Sequence, residues 1–125
     1  MSQIVTQGII LSRINYAEAD RILTIITPDH GVVSVIAKGV RKSKSKLAGG
    51  IELFSISDIT FITGRGEIHT LISTRLKKHY ANISANLGCT MLGYDILKII
   101  KKITKERSEP EYFDLLKQAL SSLRQ

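Results

Sequence analysis

The sequence predicts a small five-stranded β-barrel followed by two α-helices. Up to about Tyr80 the chain is rich in β-branched residues, and glycine or proline turns interrupt it. After Tyr80 the apolar residues change to the period of a helix. A chain of 125 residues suits one domain, or one domain and part of a second. We therefore divide it into a barrel domain, residues 1–80, and a helical segment, residues 81–125, that begins a larger helical domain.

The strands follow from the alternation of apolar residues and from the turns between them. Pro28 fixes φ and Gly31 supplies positive φ in a turn that separates the second strand from the third. Gly64 and Gly66 flank one residue, which is typical of a hairpin between the fourth and fifth strands. Five short strands with such turns favour a barrel over an open sheet. The predicted strands are Ile4–Ile14, Arg21–Thr27, Val32–Lys38, Ile51–Thr63 and Ile68–Lys77.

The fourth strand changes its alternation partway along. Phe54 and Ile56 share one parity, whereas Ile59 and Phe61 share the other. A β-bulge near positions 57–58 would reconcile the two and would bend the strand as a small barrel requires.

Two helices are predicted after the barrel. Apolar residues form two stripes on the first helix, so we expect burial on more than one side. The second follows a capping sequence, with Ser108 as N-cap and Pro110 and Glu111 in the first turn. The pair can pack on the barrel, mediate self-association or open a larger helical domain, which we favour. The two stripes are Ile83, Leu87, Met91 and Tyr94, and Leu92, Ile96, Ile99 and Ile103.

Composition narrows the classes of function. The 18 Lys and Arg residues outnumber the 11 Asp and Glu, and the resulting charge of +7 favours nucleic acid or an acidic membrane surface as partner. No run approaches the roughly 18 apolar residues of a membrane span, and the N-terminus lacks a secretion signal. A single cysteine, Cys89, excludes an intramolecular disulfide and a four-cysteine zinc site. We expect a reduced, cytoplasmic protein without a membrane segment.

The most informative segment, which we name the basic loop, spans residues 38–50. It carries five cations within nine residues and no acid, so an anionic partner is a reasonable hypothesis. Serines between the cations can donate further hydrogen bonds to phosphate oxygens. A solvated loop whose charge aids solubility would have the same composition. A nucleotide-binding phosphate loop would not, because Ser43 rather than glycine precedes Lys44. The five cations are Lys38, Arg41, Lys42, Lys44 and Lys46.

The position of other residues supports nucleic-acid binding. In five-stranded oligonucleotide-binding (OB) barrels, the loops between strands 1 and 2 and between strands 4 and 5 flank the binding face. Here Arg65 lies in the second of these loops, where it can contact phosphate or stack on a base, or is a hairpin cation without a partner. Tyr16 lies in the first, where it can stack on a base or is a partly buried residue at the end of a strand. Glu18 and Asp20 make the first loop acidic, so they pair with a nearby arginine or face a protein partner.

Catalysis has little support in the sequence. His30, His69 and His79 lack the spacing of metal ligands. Nothing marks a serine as a nucleophile, and Cys89 falls within the apolar helix, where a core role is expected. No glycine-rich dinucleotide signature is present. We expect a non-enzyme with no cofactor and no metal.

Several short motifs together resemble one family. The chain carries GIIL at 8–11, YAEADRILT at 16–24, AKGVR at 37–41, KSKLAG at 44–49 and GRG at 64–66. In this order and spacing they are similar to the N-terminal region of RecO, a family of bacterial recombination mediators. The likeness spans about residues 3 to 80, and the helices that follow resemble the start of the family's helical domain.

The resemblance implies an OB barrel that binds single- and double-stranded DNA, anneals complementary strands and helps RecA to replace the single-strand-binding protein SSB. The implied partners are RecR and SSB, with RecA acted on indirectly, on the bacterial nucleoid. The basic-loop cations become DNA-contact candidates, with Arg65, Arg75 and Tyr16 as further ones. The segment from Glu18 to Arg21 is implied to serve as structure or as a protein-partner surface, with Glu18 and Asp20 as the candidates for that surface. Family members are about twice this length and often hold a four-cysteine zinc element, which this sequence lacks.

Two other classes compete with a DNA-binding module. A protein-interaction module would dock RecR- or SSB-like partners through the acidic first loop and the helices, with only incidental DNA contact. An RNA-binding OB protein is the other, although no residue of the sequence is identifiable as a reader of the 2′-hydroxyl. The sequence leaves open the oligomeric state, the preferred DNA structure and whether the chain is a fragment.

Overall fold

Five strands close into a barrel, as the sequence predicts. The computed structural model describes residues 2–42, 44–106 and 109–123. The strands are β1 (Gln3–Tyr16), β2 (Asp20–Ile26), β3 (Val32–Ala37), β4 (Ser55–Ile62) and β5 (Ile68–His79). Around the closed barrel they follow the order β1, β2, β3, β5, β4. All neighbours pair antiparallel except β3 and β5, which are parallel.

Alternate residues of β2 and β3 fill the barrel interior. Leu23 and Ile25 on β2 and Val35 on β3 are all 0 % exposed. Ile22 and Ile36 lie directly opposite each other on the two strands and are only half-buried. Because successive side chains of a strand point to opposite faces, this pair lies on the outer surface of the barrel. In β2 and β3, the alternation of residues in the sequence therefore agrees with which side chains face the barrel interior and which face outward.

The change of alternation in β4 has a different cause from the predicted bulge. The register between β4 and β5 does shift at Ile56 and Ser57. These neighbouring residues of β4 pair with Lys78 and Leu76, which are two residues apart on β5. The extra residue is therefore Lys77 of β5, and the prediction of a bulge within β4 was wrong. Ile56 and Phe54 belong instead to an apolar cluster outside the barrel, beneath the helices. The start of β4 is thus buried on both faces.

The chain enters β4 through a turn, and the strand begins later than predicted. Residues 48–50 form a short 3-10 helix, and β4 starts at Ser55 rather than Ile51. Phe54 has a φ of 62°, a left-handed conformation that is uncommon for an aromatic residue. Because a strand cannot remain extended through that conformation, β4 starts one residue later.

Three helices follow the barrel: α1 (Ala81–Ala85), α2 (Leu87–Glu106) and α3 (Glu111–Ser122). The first predicted helix is therefore divided at Asn86, which has extended backbone angles. Its side-chain Oδ1 accepts a hydrogen bond from the backbone N of Cys89 at 2.9 Å and so helps to start α2. The predicted N-cap Ser108 lies outside the described residues. Within the ranges that the structure describes, no helix is long and apolar enough to cross a membrane.

The helices pack back on the outside of the barrel, which is one of the three arrangements that the sequence left open. Tyr80 and Ile83 begin the cluster at the junction, and Cys89 is also buried. Strands and helices thus share a second core, separate from the one inside the barrel. Its buried members are Ile9, Leu11, Ile26, Phe54, Ile56, Tyr80, Ile83, Leu97, Ile100, Phe113, Leu116 and Leu120.

The predicted stripes on α2 are not its main buried face. The helix contacts the barrel through a stripe that includes Gly93, Leu97 and Ile100. Ile83 is buried on α1, and Ile96 and Ile103 are half-buried. The expectation of burial on several sides is wrong for the rest, because among the described residues the barrel covers one face only. The exposed members of the predicted stripes are Leu87, Met91, Leu92, Tyr94 and Ile99.

We expect Gly93→Ala to destabilise the protein by up to about 2 kcal/mol. An added Cβ would lie 2.7 Å from Phe54 Cε1, and overpacking of this kind costs roughly 1–3 kcal/mol. The better helix propensity of alanine offsets about 1 kcal/mol of that cost. Denaturant unfolding measures the difference, with Gly66→Ala as control because a Cβ there meets nothing within 4 Å. A stabilised Gly93→Ala protein would contradict this packing.

Candidate nucleic-acid interface

The basic loop is held to the barrel by apolar side chains while its lysines point into solvent. Val40 is 4 % exposed and Ile51 is 1 % exposed, and both belong to the core inside the barrel. Leu47 packs against the same core. These three apolar side chains anchor the loop, and the lysine side chains near them project into solvent. The exposed lysines are Lys38, Lys42, Lys44 and Lys46.

Backbone turns give the loop a defined shape. Gly39 has a φ of 68°, which suits glycine, and the backbone N of Lys42 donates to the Gly39 carbonyl at 3.1 Å. The N of Ser45 then donates to the Lys42 carbonyl at 3.2 Å. Ser45 Oγ accepts from the N of Leu47 at 3.2 Å, so this serine caps a turn within the loop. The prediction that serines here contact phosphate includes Ser43, which lies outside the described residues.

Arg41 differs from the other cations of the loop because its guanidinium points back to the protein. Its Nη2 donates to the carbonyl of Ala17 at 2.8 Å and also to the carbonyl of Glu18. Its backbone N donates to the carbonyl of Ala19 at 2.9 Å. The Nε atom is buried and has no hydrogen-bond partner among the described residues. Arg41 therefore clamps the basic loop to the loop between β1 and β2.

The acidic residues of the first loop have two different environments. Asp20 is half-buried, and its Oδ1 accepts a hydrogen bond from the backbone N of Gly39 at 2.7 Å. Its carboxylate is thus part of the same junction between the loops as Arg41. Glu18 is exposed, with only its backbone carbonyl bound by Arg41. Of the two partner-surface candidates, Glu18 alone presents its side chain to solvent.

Tyr16 lies next to the basic loop. It is the last residue of β1, opposite Asp20, and is 51 % exposed. Ala17 follows it with a φ of 52°, which makes the turn tight, and the carbonyl of Ala17 accepts a hydrogen bond from Arg41. The structure thus brings an exposed aromatic ring and the basic loop together at one end of the barrel.

Arg65 is not brought to the basic loop. It is exposed at the tip of the hairpin between β4 and β5. Strand β5 begins at Ile68, opposite Ser34, whereas the basic loop leaves β3 after Ala37. About 10 Å of strand therefore separates the base of the hairpin from the start of the loop.

Arg75 lies beside the far end of the basic loop. The adjacent Thr74 donates from Oγ1 to the carbonyl of Leu47 at 3.1 Å. Since side chains alternate along a strand, Arg75 projects from the other face of β5, where it lies opposite Asp58. Arg75 is thus an exposed cation near the basic loop, but it lies on a different surface from the lysines of that loop.

The residues weighed for catalysis are dispersed. His69 stacks on Phe61, with the ring centroids 5.4 Å apart. His79 is hydrogen-bonded on one side to Ser55 at 2.7 Å and on the other to Ser84 at 3.2 Å. His30 lies in the turn before β3. In the described part of the chain, no group of three or more His, Cys, Asp or Glu side chains is arranged to hold a metal ion.

The sequence predicts Arg41 as a DNA contact and does not show that it clamps the loop. A structural role was one of the alternatives for Asp20, although its partner is the backbone N of Gly39 rather than an arginine. Charge alone cannot distinguish a clamp from a ligand contact. A usable signal is the location of Arg41 directly after Val40, an apolar residue within the cluster of cations. A buried side chain at that point draws its neighbour toward the protein.

A closed five-stranded barrel with the strand order β1, β2, β3, β5, β4 is an OB fold, the class of small barrels that bind oligonucleotides. A family model described as "Recombination protein O N terminal" matches residues 1–80. The chain belongs to the RecO family.

Curated relatives extend the match beyond the barrel. A "DNA repair protein RecO" of Trichodesmium erythraeum is 36 % identical over 119 residues, which cover 94 % of this chain and 41 % of the relative. One of Dehalococcoides mccartyi is 34 % identical, with 94 % and 47 % covered. One of Listeria welshimeri is 29 % identical, with 94 % and 46 % covered. The chain thus spans less than half the length of these relatives.

We expect Arg41→Lys to loosen the basic loop although it keeps the charge. One ammonium replaces the planar guanidinium that contacts two carbonyls, and loss of such a bond costs about 1 kcal/mol at a partly exposed site. Hydrogen exchange should then speed up at the amides of Gly39 and residue 41. Lys42→Ala, which removes an exposed cation from the same loop, serves as control. Unchanged protection in Arg41→Lys would show that the clamp does not order the loop.

Proposed function

We propose that this chain is the DNA-binding OB module of a RecO-type recombination mediator in DNA repair. The observation that carries the proposal is the basic loop, where four exposed lysines stand on a segment anchored by Val40, Leu47 and Ile51. Among the described residues, none of these lysines forms an ion pair. Unpaired cations on an ordered loop are suited to phosphates, which dominate the affinity of proteins for nucleic acids.

The proposed mechanism is electrostatic capture of the phosphate backbone with little base recognition. The chain has no Trp and only 6 % aromatic residues, so base stacking is limited. Tyr16, beside the loop, is the aromatic residue best situated to stack on a base. Lys side chains bind phosphate as point charges and carry no sequence information. Binding should therefore differ little among sequences, and no catalytic step is proposed.

The activities of the whole mediator follow as part of the same proposal. A module that holds single- and double-stranded DNA by its backbone leaves the bases free to pair, which supports annealing. We propose that RecR and SSB are protein partners and that RecA is helped onto SSB-coated DNA. These functions draw on family membership, and this chain corresponds to less than half the length of its relatives.

A protein-interaction module is the second candidate, and the environment of Glu18 favours it. The backbone at Glu18 is fixed by Arg41, so its exposed carboxylate is presented at a defined position beside the basic loop. A RecR-like partner with a basic surface fits that carboxylate. Here DNA contact would be incidental.

We expect the variant with alanine at Lys38, Lys42, Lys44 and Lys46 to lose salt-dependent binding of single-stranded DNA. For the wild-type chain, four lysines at phosphates give a slope of log K against log salt of roughly −2.8, because each contact contributes about −0.7. Fluorescence anisotropy of a labelled oligonucleotide across a salt series measures the slope.

Substitution of the same four lysines by arginine is the matched control and should retain binding. Equal binding by the alanine variant and the wild type would move the DNA site elsewhere, with Arg65 and Arg75 as the next residues to change. If neither the wild type nor the alanine variant binds DNA, and a RecR-like partner binds both proteins, the result supports the protein-interaction module. Competition with RNA of the same sequence tests the RNA-binding alternative.

A further inference from the structure

A second set of lysines lies on α2, away from the basic loop. Lys98, Lys101 and Lys105 are three and four residues apart, so they form one stripe along the helix. Tyr94, one turn earlier, lies on the same stripe. The three lysines are exposed, and none forms an ion pair within the part of the chain that the structure describes. We name these four residues the α2 stripe.

The helix dipole does not account for the whole stripe. Its attraction for cations is confined to the last turn of a helix, and of these lysines Lys105 alone lies there. Lys98 and Lys101 lie earlier in α2, which ends at Glu106. Mutual repulsion among three unpaired lysines gives no folding advantage, so an external anion is the simpler explanation.

One contact fixes where the α2 stripe lies relative to the barrel. Lys101 Nζ donates to Ser12 Oγ at 3.1 Å, which sets the stripe against the outer surface of β1. From Ser12 to Tyr16, beside the basic loop, β1 runs only about 13 Å. The stripe and the basic loop therefore flank the same short length of strand.

The surface beside the two sets of lysines is apolar and partly exposed. Ile14 lies opposite Ile22, which lies opposite Ile36, so the three form a row across β1, β2 and β3. Ile14 is 58 % exposed, and the other two are half-buried. Along β1, Ile14 lies between Ser12, which the stripe contacts through Lys101, and Tyr16, which lies beside the basic loop. An apolar surface with lysines on both sides of Ile14 fits bases flanked by phosphates.

We propose that the α2 stripe is a second phosphate-binding segment for the same single strand of nucleic acid that the basic loop holds. The strand crosses the row of isoleucines and reaches Lys98, Lys101 and Lys105. This inference rests on the proposed function, because it extends a strand captured by the basic loop. A path of this length agrees with the roughly 4–16 nucleotides that an OB fold covers.

The first test is the salt dependence of binding by the 125-residue chain with alanine at Lys98, Lys101 and Lys105. With a labelled single strand of about 15 nucleotides, the slope should become shallower by roughly 2, which is three contacts at about 0.7 each. Alanine at Lys77, Lys78 and Lys117 removes equal charge from β5 and α3 and should leave the slope nearer that of the wild type. Thermal unfolding checks that both variants are folded.

The second test locates the strand directly. Cys89 is 7 % exposed, so a cysteine introduced at the surface is the reactive thiol. Lys46→Cys and Lys98→Cys should crosslink to thiol-reactive groups at opposite ends of the same oligonucleotide, whereas Lys117→Cys should not. Crosslinking at both positions with the expected loss of slope supports the proposal.

The outcomes separate the inference from the function on which it rests. If wild-type binding is not salt-sensitive and Lys46→Cys does not crosslink, the proposed function fails. If Lys46→Cys crosslinks but Lys98→Cys does not, and alanine on the α2 stripe leaves the slope unchanged, only the inference is overturned. The inference is also overturned if these alanines weaken binding of a poly-glutamate peptide and leave DNA binding intact, because the stripe then serves an acidic protein segment.

Discussion

The structure depends on a first strand that is buried from two sides. Ile10 of β1 lies in the core inside the barrel, while Ile9 and Leu11 on either side of it lie in the core beneath the helices. Pairing with β2 skips one β1 residue between Ile10 and Ser12, so Leu11 is the extra residue of a bulge. Beyond the bulge the alternation is reversed. Ile14, of the same parity as Ile10, consequently faces solvent at the end of β1 where Tyr16 and the basic loop lie.

The two cores are joined by an unusual backbone conformation. Phe54 adopts positive φ just before β4, and its carbonyl accepts a hydrogen bond from the backbone N of Tyr80 at 2.8 Å. Its ring lies 5.4 Å from that of Tyr94 and packs where Gly93 leaves room. Left-handed backbone at a bulky residue costs on the order of 1 kcal/mol or more, which burial of the ring offsets. Barrel, junction and α2 are thus held in one arrangement.

Much of the fold could be predicted from the sequence, because the barrel depends on local signals. Alternation and turn residues located all five strands, and the hairpin glycines located the last pair. The burial of α2 could not be predicted in the same way. Leu92 and Ile99 are as apolar as Leu97 and Ile100, and only the position of the barrel decides which pair is covered. Similarly, the change of parity in β4 arises because its first residues contact a second core. A bulge would produce the same pattern in the sequence.

The candidate site, like the fold, could be predicted from the sequence only in part. A cluster of lysines in a loop between strands is visible in the sequence, and the family motifs reinforce it. The inward direction of Arg41 depends on carbonyls more than twenty residues away in the chain, which no local pattern reveals. The contact between Lys101 and Ser12 joins residues still further apart. Sequence therefore identifies which segment is basic, and tertiary structure decides which cations are free.

The pairing of β1 with β4 has a consequence for synthesis of the chain. Gln3 lies opposite Ile62, so one edge of the first strand has no partner until the fourth strand has been made. At bacterial rates of about 5–20 residues per second, this interval lasts about 3 to 12 seconds. Meanwhile β1, β2 and β3 can form a sheet with open edges and an uncovered apolar face, the kind of surface that promotes aggregation. The nascent chain is therefore most vulnerable before the barrel closes, and closure through such distant pairings is intrinsically slow.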